Sequence, residues 1–264
     1  MITLPGEWTL VTGATSGIGY EMTKILASRG HNLVLVSRNE EKLCEVAREF
    51  NQESDIIIMP LDLSKPGSAR IIYDECKRLG LNITTLINNA GFGKFGESWD
   101  LSFEDVESML SLNIMALTSM SNLFARDMKA HRRGNILNVA STAAYLPIPY
   151  FSAYSASKTY VKNFTAALRE ELKAYGVNVT CLLPGPTHTR FADVAFIPGD
   201  REFFDLQMPM EATRVAEAGL QAMFRRQRSA VPGPVNKLVS VTAGLMPLAA
   251  LSRLIRHFTS LAHT

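Results

Sequence analysis

The chain has 264 residues, 47% hydrophobic and 20% charged. That balance suits an ordinary globular protein and excludes disordered, collagenous and low-complexity chains. With 27 basic and 25 acidic residues the net charge is +2, which gives no broad footprint for nucleic acid. Cys44, Cys76 and Cys181 lie far apart and form no CxxC pair, so a reduced, cytoplasmic setting is expected. Residues 1–6 show no basic segment leading into an apolar run, and no stretch of about 20 apolar residues occurs. Neither a signal peptide nor a transmembrane helix is therefore expected.

Short apolar runs alternate with longer mixed segments. Trp8–Thr12, Leu33–Val36, Ile56–Met59, Ile83–Ile87, Asn135–Val139 and Val177–Leu183 read as strands. Apolar at successive positions and rich in Val and Ile, they suit a sheet covered on both faces. Helices are predicted between them over Tyr20–Arg29, Glu40–Phe50, Ala69–Leu79, Ser102–Ala130 and Ser152–Tyr175, with Gly30 and Gly80 as stops. Pro184–Met210 is irregular, with a helix following over about Glu211–Arg226 and a short run near Ser229–Val231. The alternation predicts an α/β fold, a single doubly wound parallel sheet with helices on both faces. Residues 1–234 form the predicted dinucleotide-binding and catalytic domain, and 235–264 a C-terminal helical extension. The extension mixes Leu, Ile and Phe with Arg253 and Arg256. It is read as packing on the domain or a partner subunit in preference to lying on a membrane surface.

Gly13, Gly17 and Gly19 sit between the first strand and the first helix in a G-x3-G-x-G spacing, with Thr15, Ser16 and Ile18 among them. Glycines there permit a tight turn and close approach of a pyrophosphate, and the helix start favours an anion. Ser37-Arg38-Asn39 follows the second strand where an NAD site would place an acid. A guanidinium at that point suits a 2′-phosphate, so NADP(H) is favoured over NAD(H).

Tyr154 and Lys158 are four apart and share a helix face. A nearby ammonium is expected to lower the phenol from its usual value near ~10 and fit it for acid–base work. Ser141 follows the fifth strand at the carboxyl edge, where open α/β sheets bind ligands. Asn88-Asn89-Ala90-Gly91 ends the fourth strand there, and Asn113 lies in the long helix after it.

These motifs together resemble the short-chain dehydrogenase/reductase family over residues 7 to about 231. The resemblance rests on TGATSGIG (12–19), Asp62-Leu63, NNAG (88–91), Asn113, Ser141, YSASK (154–158) and Pro184-Gly185 with Thr189. It implies a Rossmann-type domain with a seven-stranded parallel sheet. It makes Tyr154 the proton donor or acceptor, Lys158 the holder of the nicotinamide ribose, Ser141 the group that polarises a carbonyl, and Asn113 the holder of a water leading to solvent. It assigns Asp62 and Leu63 to the adenine, Asn89, Ala90 and Gly91 to the ribose, and Pro184, Gly185, Thr187 and Thr189 to the nicotinamide amide and pyrophosphate. Arg38 matches the NADP-preferring branch, whereas Ser16 stands where many such members carry a second basic residue. NNAGFGxxG (88–96) and the long tail resemble reductases related to long-chain 3-oxoacyl and 17β-hydroxysteroid enzymes.

The implied activity interconverts a carbonyl and a secondary alcohol, and a non-catalytic dinucleotide sensor is the alternative. A homodimer or homotetramer is expected by analogy. Three apolar segments should border one cleft: Phe92 and Phe95; Tyr145, Leu146, Pro147, Ile148, Tyr150 and Phe151; and Phe191, Phe196, Phe203, Phe204, Leu206 and Met208. They either accept a hydrophobic substrate there or pack a lid on the body or a partner subunit, two readings of equal standing. Ser141, Tyr150 and Phe191 are the substrate candidates. The five histidines show no ligand spacing, so no metal is expected and they are read as surface or loop residues, His188 being distinguished only by its place in the loop after the sixth strand.

Overall fold

The computed structural model describes residues 6–196 and 209–260, with side chains as far as 256. Its strands in chain order are β1 (Glu7–Thr12), β2 (Asn32–Ser37), β3 (Ile56–Pro60), β4 (Asn82–Asn88), β5 (Gly134–Val139), β6 (Val177–Leu182), β7 (Thr187–His188), β8 (Met210–Glu211) and β9 (Ser229–Ala230). Seven of them form one sheet in the order β3-β2-β1-β4-β5-β6-β9, all parallel, and β7 with β8 forms a small second sheet.

The helices are α1 (Gly17–Ala27), α2 (Glu40–Phe50), α3 (Ser68–Arg78), α4 (Phe103–Leu110), α5 (Leu117–Ala130), α6 (Ser152–Lys173), α7 (Phe191–Ala195), α8 (Ala212–Phe224), α9 (Pro234–Ala243) and α10 (Leu248–Ser260). Strand side chains alternate between two cores. Leu10, Val34, Leu86 and Ile136 pack with Ile72 of α3, Phe124 of α5 and Leu168 of α6. Val11, Leu33, Leu35 and Leu137 pack with Leu26 of α1, Leu43 of α2 and Leu220 of α8. This double cover is why the strands read as continuous apolar runs.

The segment predicted as one helix over Ser102–Ala130 is helical throughout from Phe103 but changes its winding inside. A π-helical turn, Ser111–Ala116, separates α4 from α5 and carries Asn113 at its centre. The wider turn accommodates an extra residue, as such insertions do in longer helices. Elsewhere the expected stops hold within a few residues: α1 ends at Ala27 and α3 at Arg78, with Gly30 and Gly80 at positive φ just beyond.

Strand order places the site. From β1 the chain winds outward through β2 to β3, then returns to β4 on the other side of β1. The crossovers diverge between β1 and β4, leaving a crevice at their carboxyl ends.

One histidine departs from the surface reading. His31 is only 2% exposed, packed 5.8 Å from the Phe224 ring, with Nδ1 3.4 Å from the Thr9 hydroxyl. Its Nε2 is buried with no hydrogen-bond partner among the described residues. Burial, helped by the charge of Arg29, pushes the imidazole down to about 4. The unfolded chain takes up a proton near pH 6.5 that the folded chain refuses until about pH 4, so protonation favours unfolding. Stability should therefore fall as pH drops through this window, and urea denaturation of His31→Gln should show a flatter acid limb than the parent.

Candidate active site

The turn after β1 is built to receive an anion. Gly17 has φ +56°, and a Cβ there would lie 2.7 Å from Cγ2 of Thr189. A Cβ at Gly19 would run into the Gly13 carbonyl and the Asn89 amide, so only glycine lets α1 start this close to the strand ends. Ser16, the N-cap of α1, makes no side-chain cap bond, and the first turn holds no acidic residue. The leading N–H groups thus face the crevice with the positive end of the helix dipole.

Asn89 knits β4 to this turn. Its Nδ2 donates to the carbonyls of Thr12 at 3.0 Å and Gly13 at 3.2 Å, while the Thr12 hydroxyl oxygen accepts from the backbone N–H groups of Asn89 and Ala90, both at 3.0 Å. Beneath it Asn88 donates to Ser121 at 3.0 Å and to Oδ1 of Asn138 at 2.9 Å, and Asn138 donates to Thr165 at 3.1 Å. These four buried side chains join β4, β5, α5 and α6. They were not legible as a network in the sequence, because their partners lie up to 50 residues apart.

Above that network stands the polar constellation. Ser141 begins a 3₁₀ turn, Thr142–Tyr145, its Oγ accepting from Ala143 N–H at 3.1 Å. Tyr154, in the first turn of α6, is buried, its ring stacked on Phe151 at 4.3 Å and hydrogen-bonded to Ser141. Lys158 is buried one turn on, its Nζ donating to the Val139 carbonyl at 3.1 Å and lying 5.7 Å from the Tyr154 ring centre. Asn113 is fully buried and does not line the cavity. Its amide donates to the Phe92 carbonyl at 2.9 Å and to Ser157 at 3.2 Å, and accepts from Phe92 N–H at 3.2 Å. A Cβ on Gly91 would lie 2.9 Å from Oδ1 of Asn113 and 3.3 Å from Nζ of Lys158, so Gly91 fits between them.

The electrostatics correct one expectation. Burial pushes the Tyr154 phenol up to about 12, with the Ser141 hydrogen bond pulling the other way. Burial also brings the Lys158 amine down to about 8. Loss of hydration penalises the charged form of each group, and an ammonium engaged by a carbonyl does not offset this for the phenol.

Ser141, Tyr154 and Lys158 face a cavity of about 900 Å³. Gly13, Thr15, Ser16, Gly17, Ile18, Arg38, Asp62, Leu63, Asn89, Ala90 and Gly91 line it, together with Ser141, Tyr154, Lys158, Pro184, Gly185, Thr187, Thr189 and Phe191. Burial alone would raise the Asp62 carboxyl, but hydrogen bonds from the Ser64 hydroxyl and N–H, with Arg38 and Lys65 nearby, hold it below its ordinary value. The glycine cradle and the uncapped helix start are the donor set that the pyrophosphate of a dinucleotide requires.

Comparison with known proteins agrees with this arrangement. The family model described as short chain dehydrogenase matches residues 7–196. The chain belongs to this family. A very-long-chain 3-oxoacyl-CoA reductase from Rattus norvegicus is 34% identical over 199 residues, covering 72% of this chain and 62% of the relative, so the chain spans less than two thirds of that protein's length. A short-chain dehydrogenase from Sphingobium yanoikuyae solved with NADPH has 30% identity and a TM-score of 0.80, covering 91% of this chain and 95% of the other. A family member from Burkholderia phymatum solved with NAD has 26% identity and a TM-score of 0.81, covering 93% and 94%.

In this short-chain dehydrogenase the apolar segments divide. Phe92, Leu146, Ile148, Phe151, Phe191 and Phe196 line the cavity. Tyr150, a substrate candidate, does not: it sits at φ +63° with its ring 6.0 Å from Phe95, in the cluster behind the wall. Phe95 is likewise behind, 5.0 Å from the Phe196 ring, and Tyr145 lies under Lys162. Gly19 also shapes the turn without lining the cavity. His188 is exposed and away from the lining. Phe203, Phe204, Leu206 and Met208 fall outside the described residues.

Lys42 and Ile255 are among the lining residues that escaped the sequence reading. Lys42, in the first turn of α2, faces the cavity with Arg38 and Asn39, and its spacing of four from Arg38 was the available signal. Ile255 reaches in from α10, and nothing local marks it. Removing the Asn138 amide takes away the acceptor of one of the two N–H bonds of the buried Asn88 amide, the other still reaching Ser121. Asn138→Ala should cost about 1–3 kcal/mol, read as a lower urea midpoint.

Proposed function

We propose that the protein is an NADP(H)-dependent oxidoreductase that interconverts a carbonyl and a secondary alcohol on a hydrophobic substrate. The observation that carries this reading is the convergence of Ser141, Tyr154 and Lys158 on one apolar-walled cavity that the glycine turn, Arg38 and Lys42 also line. The name of the rat relative and the NADPH complex of the Sphingobium structure support it. When bound, the nicotinamide supplies or takes up the hydride.

The side chains do the rest. Ser141 holds the substrate oxygen against the Tyr154 hydroxyl. Tyr154, neutral through the physiological range, donates its proton to that oxygen during reduction. Lys158 keeps a positive charge near the phenol and stabilises the phenolate left behind. Asn113 fixes Phe92 and borders Gly91 beside Lys158, which sets the amine's position. Arg38 and Lys42 take the 2′-phosphate, Asp62 and Leu63 the adenine end, and the start of α1 the pyrophosphate. Phe92, Phe151, Phe191 and Phe196 exclude water and accept an apolar acyl or ring skeleton.

Tyr154→Phe should lower ketone reduction by about 10²–10⁴-fold while leaving NADPH affinity nearly unchanged. Equal turnover by the variant would remove the acid–base role, and no turnover by the parent over a panel of ketones would favour a dinucleotide sensor. Lys158 loses its charge as pH rises through about 8, so reduction should decline above that value while alcohol oxidation gains from proton release. Rate profiles in both directions check this.

Arg38→Asp and Lys42→Glu each remove a cation and add a repelling charge. Each should weaken NADPH binding at least about tenfold more than NADH binding, measured by fluorescence titration. An equal loss for both cofactors would reject the 2′-phosphate assignment.

A further inference from the structure

The last two helices seat one face on the body and leave another uncovered. Inward, Asn236 fills the space beside Gly185, Ala243 and Leu251 are buried, and Ile255 lines the cavity. Outward, Val235, Leu238 and Val241 recur every third residue of α9 and are 71%, 65% and 62% exposed. Leu245 and Leu248, at 82% and 72%, carry the series through the turn into α10. Residues three apart share a helix face, so this is one apolar strip, of the kind that marks a contact surface. Residues 232–264 contain Lys237, Arg253 and Arg256 and no acidic residue. Lys237 and Arg253 are exposed on the same two helices.

The charge decides what could cover the strip. A second copy related by a twofold axis would lay the patch on itself and set cations against cations, with no carboxylate in the segment to separate them. An anionic lipid surface satisfies both features, since the apolar side chains enter the headgroup boundary and the cations meet lipid phosphates. We propose that α9 and α10 dock the protein on an anionic bilayer surface. The docking stands independently of the reaction assigned above. It places α10 between lipid and cavity, with Ile255 on the cavity side. No described helix is long and apolar enough to cross a membrane, so the contact is peripheral.

The test is sedimentation of the full chain with vesicles of phosphatidylcholine alone and of phosphatidylcholine mixed with phosphatidylglycerol. The protein should pellet with the mixed vesicles, less so at high salt, and stay in solution with phosphatidylcholine alone. Two double variants, Leu238→Asp with Leu245→Asp and Lys237→Glu with Arg253→Glu, should each lose binding at least about tenfold at an unchanged melting temperature. Should the leucine pair lower the melting temperature, the exposed charge pair decides alone. No binding to mixed vesicles, equal binding to both vesicle types, or full retention by the charge variant overturns the proposal. So does a dimer in vesicle-free solution that the leucine substitutions dissociate.

Discussion

Four hydrogen bonds at the switch point hold the carboxyl edge together. The Thr12 hydroxyl receives the N–H groups of Asn89 and Ala90, and the Asn89 amide returns to the carbonyls of Thr12 and Gly13. This is where the crossovers part and no helix covers the sheet. The strand ends there carry unpaired backbone groups that need partners. By using one side chain from each strand, Thr12 and Asn89, the protein locks the glycine turn and the segment from Asn88 to Gly91 into a single unit. Gly91 then borders Lys158 and Asn113, so the position of the amine is referred back to the same unit.

The chemistry at that edge follows from loss of water. Tyr154 and Lys158 are both buried, and burial moves them in opposite directions, the phenol up to about 12 and the amine down to about 8. Each moves toward its uncharged form. The phenol is therefore neutral and hydrogen-bonded to Ser141, and the amine titrates near neutrality. The stacked ring of Phe151 enforces this condition by occupying the side of Tyr154 that water would otherwise reach.

How legible each feature was depended on the range of its interactions. The parallel sheet was readable because double burial imposes apolar runs on every strand. The glycine turn and the Tyr154–Lys158 pair were readable because their partners are a few residues apart. The π turn at Asn113 was hidden, since a wider turn leaves the apolar period of the surrounding helix nearly intact. Tyr150 was misplaced because a positive φ redirects the chain between Ile148 and Phe151, which both line the cavity. His31 looked like a loop residue beside Gly30, and only the packing of α8 against α1 buries it.

The order of strands and helices, the glycine turn and the four-residue spacing of phenol and amine were settled by the chain alone, because local stereochemistry and periodic burial act on neighbours. Packing between distant segments decided the rest. It set the Asn88–Asn138 network, the approach of Ile255 to the cavity and the direction in which the two buried titrating groups shift. Desolvation and side-chain hydrogen bonding depend on what lies within a few ångströms in space, and that neighbourhood exists only after the helices close on the sheet.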